Sequence, residues 1–495
     1  MGTGEERTDR MKQPLFQKLK EYDKTMLPMH MPGHKRNLAL SGEGGYLAAL
    51  CAECDITEIA GFDNLAEPEG LLLSLKERAA KLWKSEEAYP LVNGSTCGIL
   101  ASIYTTVPRG GKVIVARNCH KSVYNGLQLV DAQVTYLMPE WDDMLGCYGE
   151  ITSKAVEKAL EETADAKLVI VTSPTYEGKI SDIHAICKAA HAKGVPVLVD
   201  SAHGAHLGFG GFPEGATECG ADLVVHSLHK TLPCLTQTAM LHRNGTLVSG
   251  EALQSAINLF QTSSPSYLLL ASVDGCIGLL EEWGTELFRT WEEALSEFYK
   301  GAKLLQKIKL VGTAPDRDPS KIILSTVGTD LTGTTLMGKL RTECCIELEM
   351  AGETYGLAMT GPGDTKRSLA QLLKALLDID GQCNAGEEWK KMYPAAPITH
   401  ISIGEAVRAD SEEVLIRDTV GRIAAEHIWA YPPGIPVVIA GEEITEELVE
   451  YLTEKRKHGV ELHRKSGVCK GELLIHVAVF EDGVNKTEKI QVPQT

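Results

Sequence analysis

Lys230 stands in Ala221-Asp-Leu-Val-Val-His-Ser-Leu-His-Lys-Thr-Leu, just past a short apolar run and 30 residues after Asp200. Asp200 itself closes Val195-Pro-Val-Leu-Val-Asp and opens Asp-Ser-Ala-His-Gly-Ala-His. A lysine at the mouth of one buried strand, with a carboxylate at the mouth of the preceding one, is a pair able to hold pyridoxal phosphate. The amine forms a Schiff base with the aldehyde, and the carboxylate keeps the pyridine nitrogen protonated so that the ring accepts electrons.

Other residues add to this pair. Asn93-Gly-Ser95-Thr96-Cys-Gly98 precedes Ile-Leu-Ala-Ser-Ile-Tyr, a glycine-rich turn leading into a helix. Such a turn offers unpaired N–H groups and small hydroxyls to an anion, although a Ser/Thr cap without a ligand reads the same way. Ser227 and His229, beside Lys230, would grip a phosphate from a second side. His120, in Arg117-Asn-Cys-His-Lys-Ser122, is placed to stack on a cofactor ring or to handle a proton; a histidine satisfied by local backbone is the alternative. His203 and His206 have the look of a metal pair, but no acidic third ligand follows at a recognisable spacing, so packing near the cofactor is expected and no metal.

The elements that position these residues are legible in outline. Short β-rich runs at Lys112–Ala116, Val134–Met138, Lys167–Thr172, Val195–Asp200 and Asp222–His226 alternate with helical stretches at Ala155–Glu162 and Ile183–Lys193. Alternation at this spacing predicts an α/β fold, a mostly parallel sheet with helices on both faces. In such sheets ligands bind outside the carboxyl ends of the strands, which is where Asp200, Ser227, Lys230 and Ser173-Pro174-Thr175-Tyr176 fall. Residues 1–75 read as an arm or linker, 76–300 as the large cofactor-binding domain, 301–380 as a small α+β domain, and 390–495 as a separate C-terminal module containing Tyr431-Pro-Pro-Gly-Ile-Pro436.

Composition narrows the class. The 495 residues are 43% hydrophobic and 23% charged, as in an ordinary globular protein. A formal net charge of −18 argues against nucleic acid as the main partner. The 13 cysteines are scattered and odd in number, which fits a reducing cytoplasm. The polar, acidic N-terminus lacks the apolar stretch of a signal peptide, and no run approaches a membrane span. Cys51 and Cys54 lack the second pair of a zinc ribbon, and Cys344-Cys345 are expected to be two small buried residues. Gly333-Thr-Thr-Leu-Met-Gly-Lys339 resembles a nucleotide-binding loop, but Leu340 replaces the magnesium-binding hydroxyl; a helix running to Cys344 is expected there.

Taken together, the motifs resemble the Orn/Lys/Arg decarboxylases of prokaryotes, within the fold-type-I (aspartate-aminotransferase-like) pyridoxal phosphate enzymes. The resemblance runs through His30-Met-Pro-Gly-His-Lys-Arg36, Asn93-Gly-Ser-Thr96, Arg117-Asn-Cys-His-Lys-Ser122, Asp200-Ser-Ala-His-Gly-Ala-His206, Ser227-Leu-His-Lys-Thr231, Thr262-Ser-Ser-Pro-Ser-Tyr267 and Tyr431-Pro-Pro-Gly-Ile-Pro436. It implies a Schiff-base role for Lys230, a pyridinium partner in Asp200, stacking by His120, and His203 near the ring. Phosphate contacts would come from Ser95, Thr96, Ser227 and His229, and Ser263 and Ser264 would reach the neighbouring subunit's phosphate. Active sites would then lie at a homodimer interface, with a higher oligomer open. The sequence departs from the family at Ala440, where proline is common, and at Asn37, where glycine is frequent.

The implied reaction is decarboxylation of a basic L-amino acid, with CO₂ lost and a proton taken up at Cα, handled by Lys230 or a nearby histidine. Arginine is the first expected substrate, with lysine or ornithine as alternatives; an aminotransferase or carbon–sulfur lyase is a more distant one. Only about 30 residues precede the first motif, which resembles the short form of the family and so a dimer rather than a decamer. Tyr431 and Glu442 are the candidates for binding the substrate, with Glu442 reading its cationic tail.

Overall fold

The computed structural model describes residues 27–29, 35, 37–42, 45, 62–386, 396–431, 434–457, 460–465, 467–468 and 473–479. Cys51, Cys54 and most of the His30–Arg36 motif lie outside these residues.

Continuous apolar runs make the central sheet. Strands β2 (Glu87–Leu91), β3 (Lys112–Ala116), β4 (Gln133–Leu137), β7 (Ala166–Thr172), β8 (Val197–Asp200), β9 (Leu223–His226) and β10 (Ala239–Arg243) are ordered β2-β10-β9-β8-β7-β3-β4. Strands β9, β8, β7, β3 and β4 are parallel, whereas β10 runs antiparallel to both β9 and β2. Strands β8 and β9 are buried at every position, as expected of a parallel sheet covered on two faces. Each apolar side chain there contributes roughly 1.5–3 kcal/mol, an upper bound because a denatured chain already hides some of that surface.

The covering helices follow the apolar 3.6-residue period. α2 (Gly94–Thr106), α3 (Lys121–Leu129), α4 (Ser153–Glu162), α5 (Ile183–His191) and α7 (Gly250–Phe260) share one apolar cluster with the sheet. In α4, Thr152 caps the first turn by accepting from Ala155 N–H, and Val156, Ala159 and Leu160 form the buried stripe. On the opposite face α1 (Leu71–Leu82) and the long α8 (Tyr267–Gly301) pack in a second cluster with Ala88, Leu228 and Met240. The short α6 (Leu228–Thr231) follows β9 directly.

A second, antiparallel sheet is ordered β11-β12-β15-β14, from β11 (Lys309–Leu310), β12 (Lys321–Ser325), β14 (Met350–Ala351) and β15 (Tyr355–Met359). It is flanked by α9 (Gly333–Cys344) and α10 (Lys366–Gln382). The first described strand, β1 (Leu27–Met29), pairs in parallel with β13 (Ile346–Leu348) beside it. Further on come α11 (Ile403–Arg408), β16 (Ser411–Leu415) paired with β21 (Leu474–Ala478), and a sheet ordered β18-β17-β19-β20. The last comprises β17 (Ile428–Tyr431), β18 (Ile435–Val438), β19 (Glu461–Arg464) and β20 (Gly467–Val468), with α12 (Glu446–Lys457) alongside. The hairpin β5 (Trp141–Asp142) and β6 (Cys147–Tyr148) projects after β4.

Strands β2 and β10 add to the predicted ones; β2 is an edge strand with Pro90 inside it, which weakens a strand signal. One expectation changes. Cys344 and Cys345 are not a buried pair; Cys344 is half-buried, and Cys345 is exposed at φ 55, ending α9 in the left-handed region. Thr332 caps that helix by accepting from Thr335 N–H, so the loop that resembles a nucleotide site is a helix start.

Candidate active site

The carboxyl ends of β9, β8, β7 and β3 open onto one cavity of about 460 Å³, within the range of small-molecule sites. Lys230 reaches it from α6, Asp200 from the last position of β8, Thr172 from the last position of β7, and Tyr176 from beyond it. Asn118 and His120 come from beyond β3, and Ser95 from the start of α2. The opposite wall is assembled from distant chain: Trp141 and Tyr148 of the β5–β6 hairpin, Glu349 between β13 and β14, Ile435 and Pro436 of β18, and Tyr451 of α12.

Asp200 is 3% exposed and accepts from Ala202 N–H at 3.3 Å. Burial pushes its carboxyl up, and Lys230 opposes this. Burial likewise pushes the Lys230 amine down, against Asp200 and Glu349. Lys230 Nζ lies 3.0 Å from His203 Nε2, and the Tyr176 ring meets the His203 ring edge-on at 4.5 Å between centroids. His203 is held neutral by burial, with Lys230 and Lys321 adding to the effect.

His120 caps α3. Its Nδ1 accepts from Ser122 N–H at 3.3 Å, so the neutral ring carries its proton on Nε2. Burial, then Lys230 and Lys121, lower its pKa to about 3. Gly434, at φ +89, lies beside this ring: a Cβ there would stand 3.5 Å from Nε2. His229 is buried and shares a 2.8 Å hydrogen bond between Nδ1 and the Thr238 carbonyl.

The phosphate candidates divide. Ser227 is fully buried, and its Oγ has no partner although the residue caps α6. Ser95 lines the cavity, Thr96 is exposed beside it, and the Asn93 side chain makes no capping bond to α2. A buried hydroxyl without a partner is costly, and an uncapped N-terminus of a 13-residue helix favours an anion. Asn118 Oδ1, on the cavity wall, is a further buried acceptor without a partner. With a lysine, a buried carboxylate and two histidines at one sheet edge, the residues present fit pyridoxal phosphate.

Ser263, Ser264, Glu442 and His206 lie elsewhere. Ser263 and Ser264 are exposed and do not line the cavity, although Thr262 N–H approaches Asn93 Oδ1 at 3.5 Å. Tyr431 closes β17 opposite Glu461 and is placed by its backbone alone. Glu442 is 2% exposed behind the wall, where it accepts from Arg117 at 3.2 Å and from Ile439 N–H at 2.8 Å. His206 is also away from the cavity: it pairs with Asp318 at 3.0 Å and packs against Phe212 and Trp291. Among the described residues no group of three or more His, Cys, Asp or Glu side chains is placed to hold a metal.

Sequence reasoning missed Lys321, Glu177 and Glu349. Lys321 is 4% exposed and its Nζ lies 2.6 Å from His203 Nδ1. Its signal is faint: a lysine that heads a strand buried at all five positions, Lys-Ile-Ile-Leu-Ser. Glu177 and Glu349 both line the cavity; Tyr355 donates to Glu177 at 2.7 Å, and Tyr176 donates to Glu349.

A mostly parallel sheet with a lysine and an aspartate on adjacent strand ends, and a smaller antiparallel sheet beside it, defines the fold-type-I class. An alanine–glyoxylate aminotransferase structure from Nostoc sp. shares the fold, at 16% identity and a TM-score of 0.53 over 64% of this chain and 88% of that one. The crystal structure of the Francisella novicida lysine decarboxylase matches over 94% of this chain and 83% of its own, at 19% identity and a TM-score of 0.75. The family model for the Orn/Lys/Arg decarboxylase major domain matches residues 13–315, and that for the C-terminal domain matches 387–462. A protein named arginine decarboxylase from Halalkalibacterium halodurans is 33% identical, covering 90% of this chain and 94% of its own length. The chain belongs to the Orn/Lys/Arg decarboxylase family and is a decarboxylase. No helix among the described residues is long and apolar enough to cross a membrane.

Proposed function

We propose that the chain removes the α-carboxylate of a basic L-amino acid with pyridoxal phosphate, and that arginine, giving agmatine, is its substrate. The observation that carries this reading is the convergence of Lys230 and buried Asp200 on one cavity, with Lys230 Nζ 3.0 Å from His203. When bound, the cofactor supplies an electron-accepting ring conjugated to the bond that breaks. Lys230 would hold the aldehyde end and yield it to the substrate amine. Asp200 would keep a positive charge on the ring nitrogen, and its burial would strengthen that interaction. His120 would supply an uncharged imidazole beside the ring. Ser95, Thr96, Ser227 and His229 would hold the phosphate, and Lys230 or His203 would return a proton to Cα.

A cationic tail needs carboxylates on the wall, and Glu177 and Glu349 supply them. Glu442 is already engaged by Arg117, so these two replace it as the residues that read the tail. Arginine as substrate draws on the full-length similarity to an arginine decarboxylase. The exposed Ser263 and Ser264 suit a homodimer in which this turn reaches the second copy's phosphate site. The cysteines among the described residues are all free, which suits a cytoplasmic location.

The test is amine and CO₂ release from arginine, lysine and ornithine, with and without added cofactor. Cofactor-dependent agmatine formation, with the highest kcat/KM for arginine, is expected. Turnover of all three that ignores the cofactor would refute the proposal.

A further inference from the structure

His203 lies between two lysines. Its Nε2 is 3.0 Å from Lys230 Nζ and its Nδ1 is 2.6 Å from Lys321 Nζ. Lys321 comes from the small sheet, 118 residues further along the chain, and reaches His203 with its Nζ 5.5 Å from the centroid of the Tyr176 ring. Gly178 makes room for it: a Cβ there would sit 2.9 Å from both Cβ and Cγ of Lys321, and φ is +85. The chain has a left-handed glycine where this lysine passes.

Hydrogen counting constrains the triad. A neutral imidazole has one N–H and one lone pair, and an ammonium group has donors only. Two ammonium groups cannot both donate to one ring, so at least one lysine is a free amine. The contact at Nδ1, 2.6 Å, is shorter than the 3.0 Å contact at Nε2, the order expected when the ammonium donor sits at Nδ1. This assigns the donor role toward Nδ1 to Lys321. Its Nε2–H then points at the Lys230 lone pair.

We propose that Lys321 is a positioning residue that fixes the His203 tautomer, so that Lys230 is held as the free amine that adds to the cofactor aldehyde. The proposal rests on the reading of the cavity as a pyridoxal phosphate site. In the step it serves, the Lys230 nitrogen bonds to the aldehyde carbon. The carbonyl oxygen leaves as one water with two hydrogens from the amine, and a C=N bond remains; nothing is oxidised or reduced. The groups facing Lys321 are Asp318, Glu349, Glu177, Tyr176 and Lys35, besides Lys230 and His203. Burial lowers the Lys321 pKa to about 7, and it is the ammonium form, a donor only, that fixes the tautomer.

The test uses full-length protein stripped of cofactor and labelled with ¹⁵N-histidine, compared with Lys321→Met, Lys321→Arg and Lys230→Ala. Nitrogen shifts should show His203 protonated on Nε2 in the unaltered protein and in Lys321→Arg, and on Nδ1 in Lys321→Met. The rate of C=N formation with added pyridoxal phosphate, followed against pH, should shift its midpoint up by about one unit in Lys321→Met, a roughly tenfold slower reaction at pH 7. Lys321→Arg should retain the original midpoint. An unchanged tautomer and midpoint in Lys321→Met overturn the proposal while leaving the cofactor reading intact. Should Lys321→Met not fold, an Nδ1–H tautomer in the unaltered protein overturns it alone. C=N formation that survives in Lys230→Ala would instead sink the reading on which the proposal rests.

Discussion

The Arg117 guanidinium and the Glu442 carboxylate are paired at 3.2 Å across 325 residues of chain, with side chains only 4% and 3% exposed. Arg117 follows the carboxyl end of β3 and also donates to the carbonyls of Pro436 at 2.7 Å and Val437 at 3.0 Å. One side chain thus fastens β18, and with it part of the cavity wall, to the central sheet. Losing one member of such a buried pair leaves the other uncompensated. Glu442→Gln should therefore lower stability by about 3 kcal/mol, read by urea unfolding, while the order of kcat/KM among arginine, lysine and ornithine stays the same. A changed order would return Glu442 to the substrate pocket.

Lys230→Ala should abolish covalent capture of the cofactor, read by borohydride reduction and mass spectrometry of the intact chain. The loss in kcat should be at least about 10³-fold. Retention of a reduced adduct at another lysine, with turnover preserved, would assign the anchor elsewhere.

Ser227 offers a sign that separates binding from folding. Its hydroxyl is buried without a partner, so Ser227→Ala removes an unsatisfied group and should leave the cofactor-free protein as stable or slightly more so. Cofactor affinity should fall about tenfold, the loss of roughly one good hydrogen bond. Equal losses in both measurements would make the serine a packing residue only.

The stability of the cofactor-free protein should carry the imprint of Lys321. Burial brings its pKa from 10.5 to about 7. Below pH 7 both folded and unfolded chains are protonated there, and the full cost of burying the charge is present. Between about pH 7 and 10.5 the unfolded chain binds a proton that the folded chain has released, so stability rises with pH. Lys321→Met should be the more stable protein at pH 6, with the gap closing as the pH approaches 10. Thermal melts at a series of pH values check this, and a gap independent of pH would contradict it.

How far the sequence could be read depended on what each residue's neighbours are. Strands β3, β7, β8 and β9 are dominated by apolar runs, and the residues at their ends are chemically conspicuous, so the sequence alone puts Lys230, Asp200 and His120 at one sheet edge. Strand β2 contains a proline at an edge, and β10 inserts between it and β9 against the parallel direction; neither leaves a local signal. Lys321 was invisible because a lysine heading an apolar strand looks like a solvated terminus. Its burial comes from Tyr176 and Gly178, on a segment far away in sequence. Glu442 illustrates the converse: a carboxylate in a suitable motif whose partner, Arg117, no local pattern reveals.

The hairpin β17–β18 and helix α12 also bear on the timing of synthesis. A ribosome makes Asp200 and Lys230 long before it makes Ile435, Pro436 and Tyr451, which close the far side of the same cavity. A nascent chain with its sheet already folded would carry the reactive lysine at an edge open to water. The far wall of that cavity is complete only after α12 has emerged and Arg117 has found Glu442.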